Sequence, residues 1–184
     1  MIPCAPGLAE TGFPAAWEDA MTTQVDEAHF RDTLGRFASG ITIVTATDGA
    51  GPVGFTCQSF SSVSLDPPLV SFSVMASSTS YPRIRETGGF AVNVLSEGQR
   101  HVSAQFARRG ADKWAGIDWT PSSVGNPLLD DALMWVDCEL WAEHEAGDHV
   151  IVIGRVTRLD RAEGLRPLLY YRGGYRSIDA DADE

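Results

Sequence analysis

Residues 41–75 constrain the fold more than any other part of the chain. ITIVTAT, PVGFTCQSF, SVSL and LVSFSVM are runs rich in β-branched and aromatic residues, which suit a pleated, half-buried surface. The joints between them are DGAG at 48–51 and Asp66-Pro67-Pro68. Joints this short close antiparallel hairpins, whereas a parallel crossover needs about a dozen residues or more. FAVNVL (90–95), MWVDCELWAEH (134–144), HVIVIGRVTRL (149–159) and LLYYRGGY (168–175) read as further strands. EAGD joins the second and third of these into a long hairpin, with Val136, Cys138, Leu140 and Ala142 on one face.

Helices come singly between these strands. Asp26 reads as the N-cap of a helix over EAHFRDTLGRFASG, with Phe30, Leu34, Phe37 and Ala38 on one face and Gly40 as its stop. Ser80 caps a short helix with Pro82 in its first turn, and Glu97 to Phe106 forms a third. Residues 108–127 read as a long loop. About seven strands and three lone helices lack the strict βαβα rhythm of a doubly wound sheet. They predict a mainly β protein, a β-barrel with peripheral helices.

The chain has 184 residues, which suits one domain. Residues 23–178 carry the patterned sequence. Residues 1–22, rich in Ala, Pro, Gly and Glu, read as a disordered extension, with Met21 an alternative start, and 179–184 as an acidic tail. The extension has neither the basic flank nor the apolar run of a signal peptide. Net charge is −11, and the nearest thing to a basic patch, Arg108-Arg109, is too short for nucleic acid or an anionic membrane. Cys4, Cys57 and Cys138 are odd in number and lack CxxC spacing, which places the chain in a reducing cytoplasm. His29, His101, His144 and His149 form no metal-ligand spacing.

GAGPVG (49–54) matches GxGxxG, but it runs into strand rather than helix, so it is a hairpin turn and not a dinucleotide fingerprint. GFTCQSFSSVSLDPP (54–68) carries an unusual density of hydroxyls and no charge before Asp66. It reads as a ligand wall whose small residues let a flat ring approach, against the plain alternative of an edge strand facing water. MASSTSYP (75–82) offers hydroxyls and helix N–H groups to a phosphate, or simply caps a helix. Asp148-His149 and LYYRGGY (169–175) suit a nucleotide, and equally a solvated turn and ordinary packing. Together these segments suggest a flat, phosphate-bearing ligand in an all-β frame.

The order FRDTLGRFASGITIVTA, VGFTCQSFSSVSLDPPLVSF, FAVNVL, DKWAGIDW, GDHVIVIG and PLLYYRGGY resembles the flavin reductase family with the FMN-binding split barrel, from Phe30 to Ile178. These are reductase partners of two-component flavin-dependent monooxygenases, and the chain resembles the branch serving hydroxylases of phenolic and steroid-derived rings. The resemblance implies a split β-barrel, a homodimer, and hydride transfer from NADH, or NADPH, to FMN or FAD. It places flavin contacts on Pro52, Val53, Gly54, Phe55, Thr56, Gln58 and Ser59. Further contacts fall on Ser73, Val74, Met75, Gln105 and Phe106, with the phosphate on Thr79 and Ser80. It places the nicotinamide nucleotide on His149, Tyr170, Tyr171, Arg172 and Gly173, with His149 positioning the ring, and it implies no metal. Where relatives carry a basic residue in the phosphate segment, this chain reads ASSTS, which weakens the hold on phosphate and leaves FMN and FAD both open. A flavin- or haem-binding barrel without reductase activity, or a purely structural β-barrel, are the competing readings.

Overall fold

Thr42 to Ala46 are buried without alternation, the mark of a strand covered on both faces, and the rest of the architecture is arranged around that strand. The computed structural model describes residues 25–178. The expected extension over 1–22 and the acidic tail over 179–184 lie outside them. Among the described residues twelve strands are formed: β1 (Ser39–Gly40), β2 (Thr42–Asp48), β3 (Gly51–Cys57), β4 (Ser61–Leu65), β5 (Pro68–Met75), β6 (Gly89–Val94), β7 (Trp119–Pro121), β8 (Pro127–Leu129), β9 (Met134–Ala146), β10 (His149–Arg161), β11 (Leu169–Tyr171) and β12 (Gly174–Arg176). Three α-helices accompany them, α1 (Glu27–Leu34), α2 (Tyr81–Glu86) and α3 (Arg100–Phe106).

Seven strands form one antiparallel sheet in the order β3-β2-β6-β9-β10-β5-β4. Side chains from β2, β3, β5, β6, β9 and β10 meet in a single apolar cluster, so the sheet is curled about its own interior. Its far edges meet at residues 58–60, the corner between β3 and β4. There the Ser59 hydroxyl accepts from Ser73 N at 2.7 Å and donates to Ser73 O at 3.1 Å, while Phe55 meets Phe72 edge-on at 5.9 Å. The expected mainly β split barrel is the observed fold. Helix α2 joins the interior cluster through Tyr81 and Ile84.

A second apolar cluster lies on the outer side of β2, where Ile41, Ile43 and Leu95 meet Val102 and Phe106 of α3, Leu129 and Leu168. Residues expected as continuous loop contain the β7–β8 hairpin, anchored by Asn93. Its Nδ2 donates to Pro127 O at 3.3 Å and its Oδ1 accepts from Leu129 N at 2.9 Å. Burial pushes the Cys57 thiol up and, together with the Asp137 charge, pushes that of Cys138 up to about 12, so both are packing residues.

Helix α1 belongs to a compact unit of its own that ends at Arg36. Asp26 caps it as expected, accepting from His29 N at 2.8 Å. It stops at Leu34 rather than Gly40, because Ser39-Gly40 pairs with β11 instead. Phe30 and Leu34 remain exposed.

Candidate functional site

The β3 hairpin, the end of β5 and the start of β10 converge beside α3. Between them lies a cleft of about 260 Å³ lined by Phe55 and Thr56 (β3), Ser73, Val74 and Met75 (β5), Ser77 to Ser80, Phe106 (α3), Ala107 to Gly110, Lys113 and His149. A second cavity of about 330 Å³ continues from it past Thr79, Ser80, Gly110 and Lys113, and reaches Pro52, Val53 and Gly54. The long cleft therefore has an apolar stretch of Phe55, Val74, Met75 and Phe106, a hydroxyl wall at 77–80, and His149 on its lining.

Each wall has a local cause. Thr56 donates its hydroxyl to Ser103 O at 2.8 Å, tying β3 to α3. Ser78 N donates to Met75 O at 2.9 Å and Ala76 N to Asp148 O at 2.9 Å, so the 76–80 turn is fastened to the β9–β10 turn that presents His149. His149 Nδ1 meets Asp148 Oδ1 at 2.7 Å. That contact and the charge beside it hold the Asp148 carboxyl below the usual range, and leave Nε2 as the free ring nitrogen.

The cationic side of the cleft comes from the loop after α3. Lys113 Nζ donates to Gly54 O at 3.1 Å and to Ser80 Oγ at 3.4 Å, bridging the two walls. Gln105 holds that loop in place, its Nε2 donating to Lys113 O at 3.0 Å and Ala115 O at 2.9 Å. Arg108 and Arg109 line the same cleft. Among the described residues none of these three cations is paired with a carboxylate. Partial burial pushes the Lys113 ammonium below its usual value, as expected for a charge short of a counterion.

The structure gathers Phe55, Thr56, Ser73, Val74, Met75, Thr79, Ser80, Phe106 and His149 around one cleft and Pro52, Val53 and Gly54 around its continuation. Gln58 and Ser59 are not on either lining. The Ser59 hydroxyl is engaged at the barrel seam, and Ser61 Oγ likewise meets Ser71 Oγ across two strands at 3.1 Å. Gly54 is small for Phe106 as well as for a ligand, since a Cβ there would lie 2.8 Å from the Phe106 ring. Ser80 makes no side-chain cap; Ser78 accepts from Tyr81 N at 3.2 Å instead. Tyr170 and Tyr171 are strand residues of β11, and Arg172-Gly173 is the turn to β12, with φ of 51° and 74°. That hairpin packs on the second apolar cluster, where Tyr170 meets Tyr175 edge-on at 5.6 Å, away from the cleft lining.

Sequence reasoning misses Arg108, Arg109 and Lys113. The available signal was three cations within six residues, RRGADK, interrupted by Gly110, Ala111 and Asp112. Among the described residues no three His, Cys, Asp or Glu side chains are grouped to hold a metal ion.

The flavin reductase like domain family model matches residues 34–179. The reductase subunit HsaB of a flavin-dependent monooxygenase from Rhodococcus jostii is 47% identical over 157 residues, covering 85% of this chain and 80% of that protein. The crystal structure of a homologue of nitrilotriacetate monooxygenase component B from Mycobacterium thermoresistibile superposes with a TM-score of 0.82 at 44% identity, covering 92% of each chain. An NADH:FAD oxidoreductase from Streptomyces globisporus, solved with NAD and FAD fragments, gives a TM-score of 0.82 at 34% identity over 86% of this chain and 96% of that one.

Proposed function

The chain belongs to the flavin reductase like domain family, and on that premise we propose that the two-part cleft binds FMN or FAD for reduction by NADH. The protein is a flavin reductase, an NAD(P)H:flavin oxidoreductase whose reduced product goes to a separate monooxygenase component. The observation that carries the site assignment is that Arg108, Arg109 and Lys113 share one cleft lining with the hydroxyls of 77–80. A chain of net charge −11 that concentrates unpaired cations in one cleft has built it for an anion. A flavin phosphate is such an anion, and Phe55, Val74, Met75 and Phe106 offer apolar surface to the ring attached to it.

Bound flavin supplies the hydride acceptor at N5, and the reaction needs no protein base. What the chain supplies is position. Lys113 and Ser80 fix the phosphate end, and the apolar stretch shields the ring. His149, whose Nδ1 is engaged by Asp148, would offer its free Nε2 to the carboxamide of nicotinamide and so orient the hydride donor toward the flavin. The outer face of β10 and β5 carries exposed Ile151 and Met75 in line with His149, which supports a homodimer joined beside the cleft. Unpaired, buried Cys57 and Cys138 support a cytoplasmic location.

Steady-state NADH oxidation by purified protein, with FMN, with FAD and with no flavin, tests the assignment. Turnover that needs added flavin is expected; none with either flavin, using NADH or NADPH, leaves a binding module. His149→Ala separates the two substrates. Losing one positioning contact raises the KM for NADH about tenfold and leaves the flavin KM within about twofold. A rise in the flavin KM alone would remove His149 from the nicotinamide side.

A further inference from the structure

The hairpin turn at 48–51 is bound to α2. Arg83 grips Asp48 with two parallel bonds, Nε to Oδ2 at 2.6 Å and Nη2 to Oδ1 at 2.8 Å, and Nη2 also reaches Gly51 O at 3.4 Å. Asp48 Oδ1 accepts from Ala50 N at 2.8 Å as well, so one carboxylate shapes the turn and holds the helix. The Arg83 contact and then the Ala50 N–H keep the Asp48 carboxyl down at about 2, so the pair stays charged at any pH suited to assay. On its other side α2 is fastened to β9. Tyr81 donates its hydroxyl to Glu143 Oε1 at 2.6 Å, and Arg85 Nε meets Glu143 Oε2 at 2.8 Å.

These two ties fix α2 between β9 and the β2–β3 turn. Immediately before α2 stand Thr79 and Ser80, one wall of the phosphate end of the cleft; immediately after the turn come Pro52, Val53 and Gly54, the other wall, and Arg83 lines the same end while held by Asp48. Lys113 touches both walls at once, which it can do only over a narrow range of separations. Resting on the flavin assignment above, we propose that the Asp48–Arg83 pair is a positioning device that sets the width of the phosphate end of the cleft, and so selects flavins that carry a phosphate.

Asp48→Asn gives a test in which the sign decides. If charge alone mattered, removing a carboxylate near the cleft would lower the KM for FMN. If the pair positions the walls, the same change weakens the grip on Arg83, lets the walls part and raises it. We expect the FMN KM to rise about tenfold, with the riboflavin KM, which reports the ring end alone, within about twofold. Arg83→Lys keeps the charge without the fork and gives a smaller rise in the same direction. Asp48→Asn combined with Arg83→Met does no more damage than Arg83→Met alone. A lowered FMN KM, or FMN and riboflavin moving together, overturns the proposal while leaving the flavin assignment standing. Wild-type protein inactive with riboflavin and FMN alike would overturn both.

Discussion

Lys113→Met is expected to raise the KM for FMN about thirtyfold while the KM for riboflavin stays within about threefold. Lys113 is the one cation that contacts both walls of the cleft, through Gly54 O and Ser80 Oγ, and its partial burial has already removed part of its water. A phosphate arriving there meets an ammonium that gains from a counterion, and a charge-assisted contact of this kind contributes about 1.5–3 kcal/mol. Methionine keeps the length and apolar stem and removes the charge. Folding stability should be little changed, because the variant also escapes the cost of desolvating an ammonium. The residual affinity rests on Arg108 and Arg109, so the FMN KM of the variant still rises with added salt. The check is steady-state NADH oxidation at varied FMN and varied riboflavin. Equal shifts for the two flavins would place Lys113 outside the phosphate site.

That residue also shows where the sequence stops being readable. Lys113 stands alone, and its partners Gly54 and Ser80 lie 59 and 33 positions away in the chain. Arg108-Arg109 looks too short to be a patch because a patch is a property of a surface, and the surface is assembled by Gln105 holding the 107–115 loop. The resemblance implies contacts at Ser73 to Met75, Thr79-Ser80 and His149, and these residues line one cleft. The resemblance puts Gln58 and Ser59 at the ring, and neither lines the cleft in this structure. A hydroxyl that fastens two strands together and one that faces a ligand look the same in one dimension, and Ser59 does the former.

The barrel itself was legible because its strands are long and their joints short. The 134–159 hairpin pairs from Met134–Arg161 to Ala146–His149, and the continuous run 41–46 matches a strand buried on both faces. What failed was short or set by remote contacts. Strands β7 and β8 have three residues each, too few for a period, and are held by Asn93 from another part of the chain. The early end of α1 follows from the pairing of Ser39-Gly40 with residues 169–170, which no helical periodicity can anticipate.

Gly154→Val is expected to be the most damaging single substitution in the barrel. Gly154 lies in β10 at a register shift against β9, where bare backbone is commonly needed. A Cβ there would lie 2.5 Å from Phe90 Cζ, 2.9 Å from Cys138 Cβ and 3.2 Å from its sulfur. Phe90 has no room to retreat. It is 1% exposed and meets Phe72 edge-on at 5.3 Å, and Phe72 in turn meets Phe55 and Tyr81. Overpacking a core of this density costs about 1–3 kcal/mol or more, so Gly154→Ala should lower Tm by about 5–10 °C, and Val should prevent recovery of folded protein. The cause is space and not backbone conformation, and a second substitution separates the two. Phe90→Leu withdraws the ring atoms that the new Cβ would strike, so Gly154→Ala combined with Phe90→Leu should melt higher than the sum of the two single losses predicts. Additive losses in that cycle would mean that the strand bend itself, rather than the ring packed against it, requires glycine.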